Sequence, residues 1–280
     1  MTTPQGAVVI GYDGSADSRL ALAWAEQAAH DRRRPLLVLI AEDELAQVLA
    51  HAGDAARTTT LVADAYERLQ ASESDDISVE RVGGPPATAL VQAASDASLL
   101  VLGAEGHGRL SGLALGSVSQ HVCGRASCPV VVVRPPHDAR ADAVVVGVDP
   151  SGGSDDALAF GFEQASRADS PVEAVFALSP FPLVSGSVVD SPLDSIADES
   201  LNRERALSEA LAGWKERHPD VLVRQRCVAR QPVPALTDAS RRASMVVVGS
   251  RGRGPVTGLF LGSVSQGVLH KARCPVVVAR

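Results

Sequence analysis

The chain has 280 residues, of which 45% are hydrophobic and 21% are charged. This length exceeds the ~100–150 residues of a typical single domain, so we expect two domains, and the apolar content excludes a disordered chain. Lys and Arg number 26 against 33 Asp and Glu, which gives a formal net charge of -7 and excludes the basic surface of a nucleic-acid-binding protein.

The sequence carries no recognisable targeting, membrane or metal signal. Its first residues lack a charged region followed by an apolar one, and no apolar run reaches the ~18 residues that a membrane span needs. The four cysteines lack the paired spacing of a zinc site, so no side chains are expected to bind a metal. We therefore expect a cytoplasmic protein without a membrane partner.

The first half alternates short apolar runs with helical segments. Strands are expected at residues 7–13, 35–41, 77–82, 98–102 and 129–133. Helices are expected at residues 16–31, 54–70, 86–95 and 117–125. Continuous apolar strands that alternate with helices are typical of a parallel sheet covered by helices. The first helix is expected to bury the side that carries Leu20, Ala23, Trp24 and Ala28.

The second half repeats this order of elements. Strands are expected at residues 143–149, 171–177, 221–226, 245–248 and 275–279, and the later helices at 196–217, 233–242 and 263–271. Pro35 follows Asp13 by 22 positions, and Pro171 follows Asp149 by the same interval. We therefore expect two similar domains, 1–137 and 138–280, joined by a short polar linker that favours packing of the halves against each other.

A glycine-rich motif occurs once in each half. GAEGHGRLSGLALGSVS spans residues 103–119, GSRGRGPVTGLFLGSVS spans 249–265, and both contain Gly, two residues, Gly, nine residues and Gly-Ser. Each motif follows an apolar strand and precedes a helix, for which Ser117 or Ser263 is the expected N-cap. Bare glycine backbone and the free N–H groups of a helix N-terminus together favour phosphate binding.

This motif, placed after a hydrophobic strand, resembles the ATP-binding signature of the universal stress protein family. The resemblance covers nearly the whole chain as two tandem domains. It implies two α/β, doubly wound, Rossmann-like domains, each a five-stranded parallel sheet of order 3-2-1-4-5, packed as a pseudo-dimer. It also implies ATP as the ligand, one nucleotide per domain, with Mg²⁺ bound through the phosphates.

The resemblance implies roles for residues of both halves, and none of these roles is catalytic. Asp13 and Asp149 would contact the nucleoside, and Ala41 and Ala177 would offer backbone groups to adenine. The remaining ATP contacts, largely through backbone N–H groups that hold phosphates, are expected in two sets. The first-half set is Gly11, Gly103, Gly106, His107, Gly108, Arg109, Gly116, Ser117, Val118 and Ser119. The second-half set is Gly147, Gly249, Arg251, Gly252, Arg253, Gly254, Gly262, Ser263, Val264 and Ser265.

The two motifs differ in charge, because the first has Glu105 where the second has Arg251. A basic residue is usual there in the family that the motifs resemble. A carboxylate a few ångströms from a triphosphate repels it by about 1–4 kcal/mol, so one hypothesis is a weaker first site. The alternatives are that Glu105 faces solvent, pairs with Arg109, or contacts a metal ion bound to the phosphates.

Three hypotheses of function follow. The first is an ATP-binding stress-response regulatory protein with little or no hydrolysis, whose occupancy an unidentified protein partner senses and which forms a homodimer. The second is a slow ATPase or nucleotidyl-transfer enzyme on the same fold. The third is an interaction module with one degenerate site. A P-loop ATPase is excluded because neither of the two lysines, Lys215 and Lys271, lies in a glycine-rich loop.

Overall fold

The computed structural model describes residues 3–42, 54–70, 76–106, 115–135, 137–138, 141–150, 152–178, 193–250 and 261–280. The chain divides into two compact units, Met1–Pro135 and Pro136–Ala279, with Arg280 grouped with the first. Within these described ranges, no helix is both long and apolar enough to cross a bilayer.

The first unit is a five-stranded sheet with helices between its strands. Its strands are β1 (Val8–Gly11), β2 (Leu36–Glu42), β3 (Ile77–Gly83), β4 (Leu99–Gly103) and β5 (Val130–Val133). Its described helices are α1 (Ala16–Arg32), α2 (Asp54–Leu69), α3 (Pro86–Ala93) and α4 (Ser117–Arg125). The strand order is β3-β2-β1-β4-β5 with parallel pairing, which confirms the order 3-2-1-4-5.

The second unit repeats the architecture of the first. Its strands are β6 (Ala143–Gly147), β7 (Val172–Ala177), β8 (Val223–Val228), β9 (Ala243–Gly249) and β10 (Val276–Ala279). Its described helices are α5 (Asp155–Arg167), α6 (Leu193–Arg217), α7 (Pro232–Ala239) and α8 (Ser263–Lys271). Within this unit the parallel order β8-β7-β6-β9-β10 is again 3-2-1-4-5.

The core of the first unit lies along its central strands. Ile10 of β1 and Val101 of β4 are fully buried and pair in register. Helix α1 packs on β1, β4 and β5, while α3 packs on β1, β2 and α4. Because helices cover these strands, their side chains are apolar throughout, and each fully buried Ile or Leu stabilises the unit by about 1.5–3 kcal/mol.

Helix α1 buries a different side from the predicted one. Its buried apolar residues are Ala21, Leu22, Ala25, Ala28 and Ala29, so only Ala28 of the predicted set is buried. Leu20 is 44% exposed. The prediction was wrong because alanine occurs all round this helix, so its apolar pattern has no clear direction.

Helices α4 and α8 begin one residue earlier than predicted, at the serines that were expected to be their N-caps. Gly116 and Gly262 are the N-caps, with extended backbone at φ -63° and -65°, and Ser117 and Ser263 are the first helical residues. The Gly116 N–H donates a 2.8 Å hydrogen bond to the Ala104 carbonyl, which fixes where the chain turns into α4. The prediction that the two serines are N-caps was therefore wrong.

Candidate functional site

A cavity of about 350 Å³ lies where β1 and β4 end in the first unit. The chain leaves β1 for β2 and β3 on one side, whereas β4 and β5 lie on the other. Ligands of doubly wound folds bind at such a switch point, outside the carboxyl ends of the strands. The volume is at the lower end of the ~300–1,000 Å³ typical of small-molecule sites.

The cavity brings together the predicted ATP-binding residues of the first half. Every one of them that the structure describes lines it, namely Gly11, Asp13, Ala41, Gly103, Gly106, Gly116, Ser117, Val118 and Ser119. The other three, His107, Gly108 and Arg109, lie outside the described residues. Residues far apart in sequence thus line the same cavity, although the role of each in binding a nucleotide stays a prediction.

Gly103 allows the glycine loop to lie against the start of α1. A Cβ atom there would lie 2.8 Å from the carbonyl carbon of Asp17 and 2.9 Å from the Ser18 nitrogen. Both atoms are backbone, so neither gives way easily, and only glycine fits. At the other end of the loop, the Ser119 hydroxyl donates a 2.8 Å hydrogen bond to the Gly103 carbonyl. The loop is therefore held by α1 on one side and α4 on the other.

Asp13 lines the cavity, and polar side chains of the segment from β1 to α1 contact the glycine loop. Asp13 Oδ1 accepts a 2.9 Å hydrogen bond from the Ser15 N–H, and its Oδ2 would lie 2.9 Å from a Cβ atom at Gly106. Asp17 Oδ2 accepts the Glu105 N–H at 3.0 Å, while the Ser15 hydroxyl donates to the Glu105 carbonyl at 3.3 Å. The backbone N–H and the carbonyl of Glu105 are thus both hydrogen-bonded to residues at the start of α1.

An apolar wall, which the sequence did not predict, also lines the cavity. Its residues are Tyr12, Leu39, Pro86, Leu90 and Leu102. A Cβ atom at Gly11 would lie 2.9 Å from Leu102 Cδ2 and 3.1 Å from Leu90 Cδ1, so glycine at the end of β1 makes room for both leucines. No local motif marks these side chains, because they come from separate elements. An apolar surface beside a few placed polar groups suits the flat ring of a nucleobase.

Tyr12 belongs both to this wall and to a charged cluster. Its hydroxyl donates a hydrogen bond to Asp64 of α2, which also accepts from Arg68 at 3.1 Å and Arg19 at 3.4 Å. Burial, reinforced by the bond to Asp64, raises the pKa of Tyr12. Desolvation opposes the shift at Asp64, but hydrogen bonds from Arg68 and Tyr12 lower the pKa of that carboxyl. The cluster ties α2 to the end of β1.

The second unit repeats the frame of the site. The Ser265 hydroxyl donates to the Gly249 carbonyl at 2.5 Å, and the Gly262 N–H donates to the Ser250 carbonyl at 2.9 Å. Gly147 again makes room for a leucine, because a Cβ atom there would lie 3.1 Å from Leu236 Cδ1.

The other predicted residues of this half occupy positions equivalent to those of the first. Ala177 ends β7, Asp149 follows β6, and Val264 follows Ser263 in the first turn of α8. Arg251, Gly252, Arg253 and Gly254 lie outside the described residues. The geometry of the loop between Gly249 and Gly262 therefore stays a prediction.

Comparison with known protein families agrees with this duplicated geometry. The model of the universal stress protein family matches residues 6–134 and again residues 141–280. The chain belongs to the universal stress protein family. Universal stress protein Rv2005c of Mycobacterium tuberculosis is 36% identical over 301 residues, which cover 99% of this chain and 97% of the relative. Universal stress protein Rv2623 of the same organism is 36% identical over 292 residues, which cover 98% and 96%.

The fold of this universal stress protein also occurs in a solved structure that matches it over nearly its full length. A universal stress protein from Archaeoglobus fulgidus aligns with a TM-score of 0.70 and covers 98% of both chains. At 19% sequence identity, this similarity supports the fold and not a shared ligand. The resemblance noted in the sequence is confirmed for the family and the fold.

Proposed function

We propose that this universal stress protein is a stress-response regulator that binds one adenine nucleotide per unit, ATP among them, with little or no hydrolysis. The observation that carries the proposal is the cavity at the ends of β1 and β4, which gathers the predicted first-half residues that the structure describes. Glycine backbone at Gly103, Gly106 and Gly116 lets a phosphate chain approach the main chain and the N-terminus of α4.

The apolar wall and the polar groups of the cavity suit the two ends of a nucleotide. Leu90 and Leu102 offer apolar contact to a base, and Asp13, beside Gly106 of the glycine loop, offers an acceptor for sugar hydroxyls. The start of α4 supplies a positive dipole end for phosphate oxygens. The proposal includes Mg²⁺ bound through the phosphates, a cytoplasmic location, a protein partner and a homodimer.

The first experiment asks what the purified protein carries. Freshly purified chain is denatured, and the released nucleotide is separated by chromatography and counted per chain. Close to two equivalents of ATP support two sites with slow or absent hydrolysis. Bound ADP or AMP, together with rapid steady-state release of either from added ATP, would instead support the alternative of an enzyme.

A titration then assigns binding to each unit. Calorimetry with ATP and Mg²⁺ is run on the wild-type chain, on Asp13→Ala, on Asp149→Ala and on the double variant. We expect two sites, then one site in each single variant, and none in the double variant. Asp31→Ala is the control, because Asp31 lies at the far end of α1, where it accepts a hydrogen bond from exposed Gln27. Unchanged binding in the double variant would contradict the proposal.

A further inference from the structure

The two units differ at the point where their first helix begins. Without a gap, Asp13 to Ser18 align with Asp149 to Ser154, since both segments start at the aspartate that follows the first strand. Helix α1 has Ser15 as its N-cap, whereas α5 has Ser154, the equivalent of Ser18. The second helix therefore starts one turn later, after Gly152 and Gly153 with φ of 113° and 83°.

This difference places a carboxylate beside the glycine loop of the first unit only. Asp17 stands in the first turn of α1, and its Oδ2 accepts the N–H of Glu105 at 3.0 Å. The equivalent residue of the second unit is Gly153, which has no side chain to do this. In the first unit the Glu105 N–H is thus directed at Asp17, so this amide donates to a protein carboxylate instead of a phosphate.

The described lining of the first cavity carries negative charge. Its residues include Asp13 and Glu105 and, among the residues described, no Lys, Arg or His. Asp17 adds a third carboxylate directly behind the Glu105 amide. At the positions of Asp17 and Glu105 the second unit has Gly153 and Arg251. The first unit thus has two negative charges at this pair of positions, whereas the second unit has one positive charge.

In the described part of the chain, these carboxylates do not belong to a ready-made cluster of three or more cation ligands. Within the described residues, no group of three or more His, Cys, Asp or Glu side chains comes close enough to hold a metal ion. Negative charge at the positions of Asp17 and Glu105 opposes the entry of a phosphate. Each phosphate added to a ligand increases the repulsion, whereas an uncharged nucleoside is unaffected.

We propose that the first unit selects adenine ligands of low phosphate charge, a nucleoside or nucleoside monophosphate over a triphosphate, and that Asp17 and Glu105 determine this specificity. The inference rests on the proposed function, because it concerns the same cavity. It assigns the tighter binding of triphosphate to the second unit. One chain would then sense two ligands that differ in phosphate number.

Tyrosine provides a signal from the first unit within the full chain. The sequence has two tyrosines, Tyr12 in the cavity wall and Tyr66 on α2, which is 49% exposed. Labelling with 3-fluorotyrosine gives two ¹⁹F resonances, and Tyr66→Phe assigns them. Adenosine, AMP, ADP and ATP are titrated in EDTA, and the Tyr12 resonance reports binding beside it.

We expect the dissociation constant at Tyr12 to rise about three- to tenfold with each added phosphate. Asp17→Asn and Glu105→Gln should each tighten ATP binding about three- to tenfold and change adenosine binding less than about twofold. Asp17→Asn keeps an acceptor for the Glu105 amide, so it removes charge without removing the contact. Asp31→Asn is the matched control, because it removes the same charge from the far end of α1. An unchanged Tyr66 resonance shows that each variant is folded.

The outcomes separate the inference from the proposed function. If ATP moves the Tyr12 resonance at lower concentration than AMP does, the inference is wrong and the nucleotide site stands. The same holds if Asp17→Asn and Glu105→Gln leave the order of affinities unchanged. It also holds if both variants weaken binding of ATP in a second titration with Mg²⁺ in place of EDTA, since the carboxylates then hold the cation. If none of the four ligands moves this resonance, the proposed site of the first unit is wrong and the inference fails with it.

Discussion

The hydroxyl of Ser119 donates a 2.8 Å hydrogen bond to the backbone carbonyl of Gly103 and so joins the first turn of α4 to the end of β4. Ser265 and Gly249 repeat this contact at 2.5 Å in the second unit. In each case the bond joins the first and last residues of the glycine-rich motif, which are 16 positions apart. The last serine of the motif is therefore part of the frame of the site, and its buried position agrees with that role.

We expect Ser119→Ala to lower the free energy of unfolding of the first unit by about 1 kcal/mol, because the Gly103 carbonyl loses its side-chain donor. Thermal unfolding of the purified chain without ligand measures this. Ser117→Ala is the control: Ser117 is exposed, and its loss should change stability by less than about 0.5 kcal/mol. Equal effects of the two substitutions would contradict a framing role for Ser119.

Gly103→Ala should destabilise the first unit by about 1–3 kcal/mol, because its Cβ atom would lie within 3.0 Å of backbone atoms of α1. Gly213→Ala tests the opposite sign in the same unfolding assay. Gly213 lies inside α6 with nothing within 4 Å of its Cβ position, so alanine should stabilise that helix by up to about 1 kcal/mol. If Gly103→Ala proves neutral, the close approach of α1 to the loop is not a constraint.

The sequence predicted the strands and their repetition well, because these features rest on local signals. Apolar runs such as Val144 to Val146 mark buried parallel strands, and glycine at Gly11 or Gly147 marks where they end. The strand order came from the family resemblance and is confirmed. Once that order is known, β1 and β4 are neighbours, and it follows that Asp13, Gly103 and Gly116 line the same cavity.

The features that the sequence missed depend on contacts between elements. The hydrogen bond of Asp17 to the Glu105 amide joins residues 88 positions apart, and that of Tyr12 to Asp64 joins residues 52 apart. Acidic residues are common in the first turn of a helix, where they interact favourably with the helix dipole. Nothing in the local sequence therefore shows that Asp17 also accepts a hydrogen bond from a distant loop. The buried face of α1 was missed because alanine gives a weak apolar direction.

Asp64 should make stability depend on pH. Its folded-state pKa is below the ordinary value of about 3.9, so its stabilising contribution is present above that value and is lost as pH falls through the lower folded pKa. Denaturant unfolding of wild type and Asp64→Asn, from pH 7 to below pH 4, should show a difference in stability that shrinks in the acidic range. Asp31→Asn serves as the control and should show little difference at any pH. A difference between wild type and Asp64→Asn that stays constant with pH would contradict the role of the charge.

Thiol reactivity should separate the cysteines by burial. Desolvation raises the pKa of Cys123 to about 12 and that of Cys128 to about 11, and Cys274 is fully buried, whereas Cys227 of β8 is only half-buried. Because the thiolate is the nucleophile, we expect iodoacetamide at neutral pH to modify Cys227 at least about tenfold faster than Cys123. Peptide mass spectrometry measures each rate.

The same labelling in guanidinium chloride is the reference, since unfolding exposes all four thiols and should make their rates similar. Cys227→Ser provides a second check, because the native variant should then react only slowly. If Cys123 in the native chain reacted as fast as Cys227, the first unit would open at α4 on the timescale of labelling. The hydrogen bond from Ser119 to Gly103 would then not keep α4 in place on that timescale.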